Sequence, residues 1–451
     1  MNMKMTATGD YILTQGYKDG GYEGQKPLQD FIARGEARFG NLEICVSDWS
    51  SSWCSQFCGG IWQNIPPEKL PQILDYGCNF WGFANNHTLD FAIPGMQQTL
   101  DHVKAYNVSI TGAGDNLLKA STPVYRDFEG GRVAFIAITS SFDPSAQAGY
   151  ESQMIPGRPG VNALGFSTHM TVTKEHFDTL KAITEATEVN GQRDFSRKNG
   201  FAPQLADNEL DFGGISVKLS ENGKEETITK CNRNDLERTC NAIRDAKQLA
   251  DYVVVMFHSH QCDGTKVTQP APFIVEFSHA CIDAGADFII GGGTHEFKPI
   301  ELYKGKPIFY SLGNFVFQLQ GLMHLPADHH YKYNTHGMSD VDALAVQFDG
   351  WEKGLWVQEE CFWGIIPYVE FDGGKLVKAE MLPVDLGFNK GVQHKGLPFV
   401  ADMDTAKRIF ESLKELSAPK GVELRKSFHK SFLINESLIK INKLVWVGLI
   451  G

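Results

Sequence analysis

The segment from Ala284 to Phe317, AGADFIIGGGTHEFKPIELYKGKPIFYSLGNFVF, restricts the fold more tightly than any other part of the chain. Its short run Asp287-Phe288-Ile289-Ile290 stops at three glycines and then a histidine. A buried strand delivers a polar side chain to the rim of a sheet in this way. A second strand-like run, Lys306 to Tyr310, stops at Ser311-Leu312-Gly313-Asn314. Glycines beside His295 carry no Cβ, so backbone and ligand can approach closely. His295 is therefore read as a metal ligand or a general base.

The same grammar recurs upstream. Lys4 to Thr8 reads as a strand ending at Gly9-Asp10, where Asp10 either faces a ligand at the sheet edge or caps a turn. The run Phe39 to Ile44 carries Glu43, and a carboxylate there has to be paired, exposed or metal-bound. The apolar run Phe80 to Ala84 is followed at once by Asn85-Asn86-His87-Thr88-Leu89-Asp90. An amide (Asn85 or Asn86), an imidazole (His87) and a carboxylate (Asp90) so placed supply a neutral metal ligand, a proton donor and a residue to orient it. Tyr252 to Phe257 runs into His258-Ser259-His260, two imidazoles that can share one metal from a strand end. Helical patterns lie between these strands, over Pro67 to Tyr76, Gly95 to Tyr106, Asp235 to Ala250 and Pro272 to Asp283. Further strands are read at Val108 to Thr111 and Arg132 to Thr139, so the alternation predicts an α/β domain.

With 451 residues and 42% hydrophobic content the chain can build one large or two ordinary globular domains. A net charge of −12 and a pI near 5.6 argue against nucleic acid or an anionic membrane as the main partner. They leave open a small anionic or peptide substrate held by a metal. No apolar run reaches the roughly 20 residues that span a bilayer, and no basic-then-apolar leader opens the sequence. The nine cysteines show no two-thiol motif of metal spacing, which predicts reduced thiols and a cytoplasmic location.

The main domain is expected over 1–400, with 141–230 as an inserted lobe or lid. The aromatic loop from Trp49 to Trp62 and the histidine-rich segment His324 to His336 are read as walls for a peptide, the latter equally as a solvated turn. Asp342 to Phe348 and Gly364 to Phe371 are read as strands completing the second sheet. A helix over Thr405 to Ser417, capped by Asp404, opens a C-terminal helix and tail at 401–451. That tail packs on the domain or on a neighbouring subunit, so a homo-oligomer is open.

Asp10 in TATGDYIL, Glu43 in GNLEI, ANNHTLDF, VVVMFHSHQ and GKPIFYSLGNFVF resemble, in this order, the motifs of the CapA-type poly-γ-glutamate capsule-synthesis proteins. The resemblance implies a calcineurin-like metallophosphatase sandwich of two mixed β-sheets flanked by helices, with a metal centre at the strand ends. It implies Asp10 as a ligand of one metal, Glu43 as the bridging carboxylate, Asn86 and His258 as ligands of a second, and His295 as a ligand. His87 becomes the proton donor, oriented by Asp90. The sequence departs from the broad phosphatase pattern twice: Ile12 and Gly293 stand where histidines are expected. His260 is near enough in sequence to compensate. One or two divalent ions are therefore expected, with Mn2+, Zn2+, Fe2+ and Mg2+ undistinguished. The resemblance implies hydrolysis of a phosphoester or of a glutamyl or peptide linkage. The thinned ligand set raises a metal-dependent peptide epimerase using His295 as acid or base, and a third reading is a non-catalytic accessory of capsule synthesis.

Overall fold

A computed structural model describes residues 2–18 and 20–429 with the short runs 433–434, 437–438 and 441–446, and side chains as far as Leu424. Two mixed sheets face each other. In the first, Asn2–Ile12 lies parallel to Ala37–Leu42, which continues through Phe80–Gly82 to Ser109–Thr111. On its other side Trp363–Asp372 runs antiparallel to the first strand and pairs with Lys375–Asp385. The second sheet has Gly131–Thr139, Tyr252–Ser259, Phe288–Gly293 and Lys306–Phe309 as a parallel centre, with antiparallel edges at Val124–Phe128 and Ile300–Tyr303. This is the calcineurin-like sandwich that the resemblance implies.

The near-continuous apolar runs are explained by burial on both faces, because side chains alternate across a strand. Val254 and Met256 turn inward to meet Met3, Met5, Phe39 and Phe135 between the sheets. Val253, Val255 and Phe257 turn outward under helices Arg233–Leu249 and Pro272–Ala284. The first sheet is covered in the same way by helices Gln25–Ile32 and Ala92–Lys104, through Phe31, Met96 and Val103.

The first strand breaks its own alternation. Met3, Met5 and Ala7 face the inter-sheet core, so an undisturbed pleat would turn Asp10 outward with Thr8. Pairing with Ala37–Leu42 slips between Ala7 and Asp10, however, and a bulge of this kind re-aims the side chains beyond it. Asp10 consequently faces the second sheet.

Three expectations are corrected. Asp342 to Phe348 is not a strand: Asp340–Gln347 is a helix whose cap, the Ser339 hydroxyl, accepts from the Asp342 amide. The apolar run ALAV suits either element, and the cap decides. Trp363–Asp372 is a strand, but it joins the sheet of the first strand, not the opposite one. The C-terminal helix Met403–Ser417 is capped by Asp402 in place of Asp404. Beyond Thr139 the chain leaves both sheets, and residues within 166–231 form a separate four-stranded sheet with helices Lys174–Thr187 and Gly191–Lys198. Most of the tail expected after the C-terminal helix lies outside the residues whose side chains are described.

Candidate metal centre

The C-terminal ends of both parallel arrays open on one spot. Asp10 is fully buried there, its Oδ1 accepting from the Asn41 amide at 2.7 Å and its Oδ2 from the Gly293 backbone N–H at 2.9 Å. Gly292 makes this approach feasible, since a Cβ at that position would sit 2.7 Å from Asp10 Oδ1. The other hydrogen of the Asn41 amide points to His258 Nδ1 at 3.1 Å, leaving the opposite nitrogen, Nε2, 2.8 Å from Asn86 Oδ1 and 3.5 Å from Glu43 Oε1.

Glu43 follows directly on the strand Ala37–Leu42 and is entirely buried. Neither of its carboxylate oxygens meets a donor group, and its carboxyl lies close enough to that of Asp10 for the two to share a proton. Burial first, and then the Asp10 charge, push its carboxyl well above the usual carboxylate range. Asp10 is also raised by burial, although His295, Asn41 and Gly293 pull the other way. Bare carboxylate oxygens away from water are costly, so the donor set fits a divalent cation. Two groups of donors converge: Asp10 with Glu43 and His295, and Glu43 with His258 and His260, the atoms of each group lying within 4.8 Å of one another. Glu43 belongs to both.

His295 is held in a left-handed backbone conformation, φ 61°, uncommon for a residue with a side chain and concentrated at functional sites. Its Nδ1–H donates to Asn314 Oδ1 at 2.8 Å, and the Asn314 amide is fixed in turn on the Cys361 carbonyl at 2.8 Å. That assigns the tautomer and leaves Nε2 with a free lone pair. Burial lowers the basicity of all three imidazoles, His258, His260 and His295. Neutral imidazole is the form that ligates.

Beside this cluster His87 Nδ1 lies 2.7 Å from Asp90 Oδ2, and Asp90 also accepts from the backbone N–H groups of Gln63 and Gly59 at 2.8 and 3.1 Å. The Gln63 amide meets His87 Nε2 at 3.1 Å. Gly59 belongs to the aromatic loop and has no room for a side chain, because a Cβ would lie 2.3 Å from Asn86 Nδ2 and 2.7 Å from His87 Cε1. The loop thus roofs the dyad. The histidine-rich segment packs against that roof, with Trp49 on His324 and Trp62 on His329. Within it lies a helix, Ala327–Tyr333, in which His330 is bonded to Asp340 and Thr335 and His329 to Gln347.

Asp10, Glu43, Asn86, His258, His260 and His295 therefore meet at one place, with His87 and Asp90 adjoining. Sequence reading missed the residues that hold them: Asn41, Asn314, Gln63 and Lys298. Asn41 and Asn314 were within reach, since they sit in the GNLEI and SLGNF motifs beside assigned ligands. Lys298 gave no sign, because a lysine three residues beyond a loop histidine ordinarily reaches solvent. It is 1% exposed and donates to the Gln261 carbonyl at 2.8 Å.

Comparison with known proteins places the chain among its relatives. The chain is 28% identical over 432 residues to the uncharacterized protein y4uA of Sinorhizobium fredii, covering 93% of this chain and 90% of that one. It is 26% identical over 284 residues to the PGA biosynthesis protein CapA of Bacillus subtilis, covering 62% of this chain and 54% of that protein. It is 24% identical over 256 residues to a probable polyglutamine synthesis accessory protein of Mycobacterium tuberculosis, covering 57% and 50%. Residues 4–319 match the model of the bacterial capsule synthesis protein family PGA_cap, and the chain belongs to that family.

Proposed function

We propose that the chain is a metal-dependent enzyme that hydrolyses a phosphoester or a glutamyl or peptide linkage of an anionic polymer. The observation that carries this is the bare Glu43 carboxylate shared by two converging donor groups, with the His87–Asp90 dyad beside it. A divalent cation bound there would polarise a phosphoryl or carbonyl oxygen and activate water. Asp90 orients His87 through Nδ1, so His87 exchanges a proton with substrate at Nε2 once the Gln63 amide gives way. Asn41 and Asn314 hold the ligands and take no proton. The names of the CapA relatives support a polyglutamate-type substrate. The test is turnover of a generic phosphodiester and of γ-linked and α-linked glutamyl oligomers by Mn2+-loaded protein. Rates above those of Asp10→Ala support the reading, and equal rates on every substrate discard it.

Peptide epimerisation is the second reading, favoured by a separate observation. His87 and His295 are each fixed through Nδ1, on Asp90 and Asn314, from two different strand ends. Inverting a Cα needs one acid and one base on opposite faces. Incubation of candidate peptides in deuterated water tests it, and Cα positions free of deuterium would count against it. Background behaviour in both assays would leave the accessory role.

A further inference from the structure

We infer that His260 is a metal ligand that stands in for the side chain absent at Gly293, delivered from the neighbouring strand end. The strands Tyr252–Ser259 and Phe288–Gly293 are parallel, with Ser259 opposite Gly293, so residue 260 leaves the sheet next to residue 293. The His260 ring occupies the room over Gly293: a Cβ there would lie 2.8 Å from His260 Cδ2 and 2.9 Å from the Ser259 carbonyl. Gly293 also has φ 111°, which side-chain-bearing residues avoid. A side chain at 293 and the His260 ring in this position exclude each other.

Everything around His260 is tied down except its own tip. The Ser259 hydroxyl bonds Gln261 Oε1 at 2.9 Å, the His260 N–H donates to the Ser141 hydroxyl at 2.8 Å, and Lys298 Nζ holds the Gln261 carbonyl at 2.8 Å. His260 Nε2 is nonetheless buried without a partner, and a ring nitrogen of His260 lies within 4.8 Å of donor atoms on Glu43 and His258. A rigid mount that brings an imidazole with an unpartnered nitrogen beside a carboxylate is what a ligand requires. Lys298 is then a positioning residue that joins the His260 exit to the His295 loop.

This inference goes beyond the proposed reaction, because it concerns what holds the metal and not what is done with it. Its test is titration of Mn2+ into metal-free protein, followed by calorimetry and by the melting temperature. His260→Ala is expected to weaken one Mn2+ binding step at least about tenfold. His260→Gln, which keeps size, is expected to do the same, and imidazole added to His260→Gly is expected to recover part of the loss. Mn2+ binding by His260→Ala and His260→Gln equal to that of the wild type in affinity and stoichiometry would overturn the ligand role. Failure of every hydrolytic and epimerase assay would sink the proposed reaction and leave this titration fully readable.

Discussion

Two places in the molecule concentrate histidine, and they are built in opposite ways. At the strand ends, His258, His260 and His295 surround Glu43, whose oxygens are bare, and each keeps a nitrogen directed at a carboxylate or left without a partner. In the segment His324 to His336, His330 is bonded through both nitrogens to Thr335 and Asp340, and His329 through Nε2 to Gln347, its Nδ1 buried without a partner and, among the described residues, with no carboxylate group converging on it. Among the described residues no group of metal-type donors converges there. Imidazoles placed close together in sequence mark a site only where their ring nitrogens converge with carboxylate oxygens that lack donors. Where no such group converges, as around His329 and His330, they pin a helix.

The largest effect expected to sharpen this contrast is at Glu43. Glu43→Gln removes the shared carboxylate, so Mn2+ no longer raises the melting temperature and turnover falls to background. The metal-free variant melts higher than the wild type, because a buried carboxylate whose pKa is raised by burial costs stability at neutral pH and an amide does not. A Glu43→Gln protein that still retains Mn2+ would break the comparison.

His87→Ala and Asp90→Asn come next. A lost general acid or base lowers kcat by about 10²–10⁴-fold, while Mn2+ content by elemental analysis stays at the wild-type value. A parallel loss of metal would instead place the dyad among the ligands.

A smaller and opposite change is expected at Lys298. Burial lowers its ammonium from the ordinary 10.5 to about 8, so holding the proton costs stability at neutral pH. That cost is fully present below about pH 8 and fades as the pH rises toward 10.5, where the unfolded chain also releases its proton. Lys298→Met should stabilise the metal-free protein by about 2 kcal/mol at pH 7, measured by denaturant unfolding, with the gain shrinking at pH 9. It should also loosen Gln261 and weaken Mn2+ binding.

The smallest effect belongs to the other histidine region. His330→Ala costs about 1 kcal/mol of stability and leaves Mn2+ titration unchanged. A change in metal affinity there would erase the distinction between the two regions.

Much of this could be read from the sequence where strand and polar residue adjoin. Asp10, Asn86 and His258 were legible because an apolar run ended on each of them. The same pattern predicted an α/β domain from runs such as VVVMF and DFII, and the family resemblance supplied the two-sheet sandwich. What escaped was information that lies between segments. Asp340–Gln347 was misread because its apolar core has no period and only the Ser339 cap distinguishes helix from strand. The Gly293–His260 exclusion depends on which strands are neighbours, and the bulge after Ala7 on how two strands slip. Neither is written in any one stretch of residues.

The position of the first strand has a consequence for how the molecule comes into being. Asp10 lies between Asn41 on one side and Asn314 on the other, and the same strand is closed off by Trp363–Asp372. A ribosome makes this strand well before its partners, and half of its hydrogen-bonding edge waits for residues more than 300 positions later. Long-range closures of this kind form late. During synthesis the emerging chain holds Asp10 on an unfinished edge, and that edge of the candidate site closes only when the later strands have been made. A chain truncated before Asn314 keeps Asp10, Glu43, His258 and His295 but lacks the strands Asn314–Phe317 and Trp363–Asp372 that close the edge bearing Asp10, and the Asn314 oxygen that fixes His295.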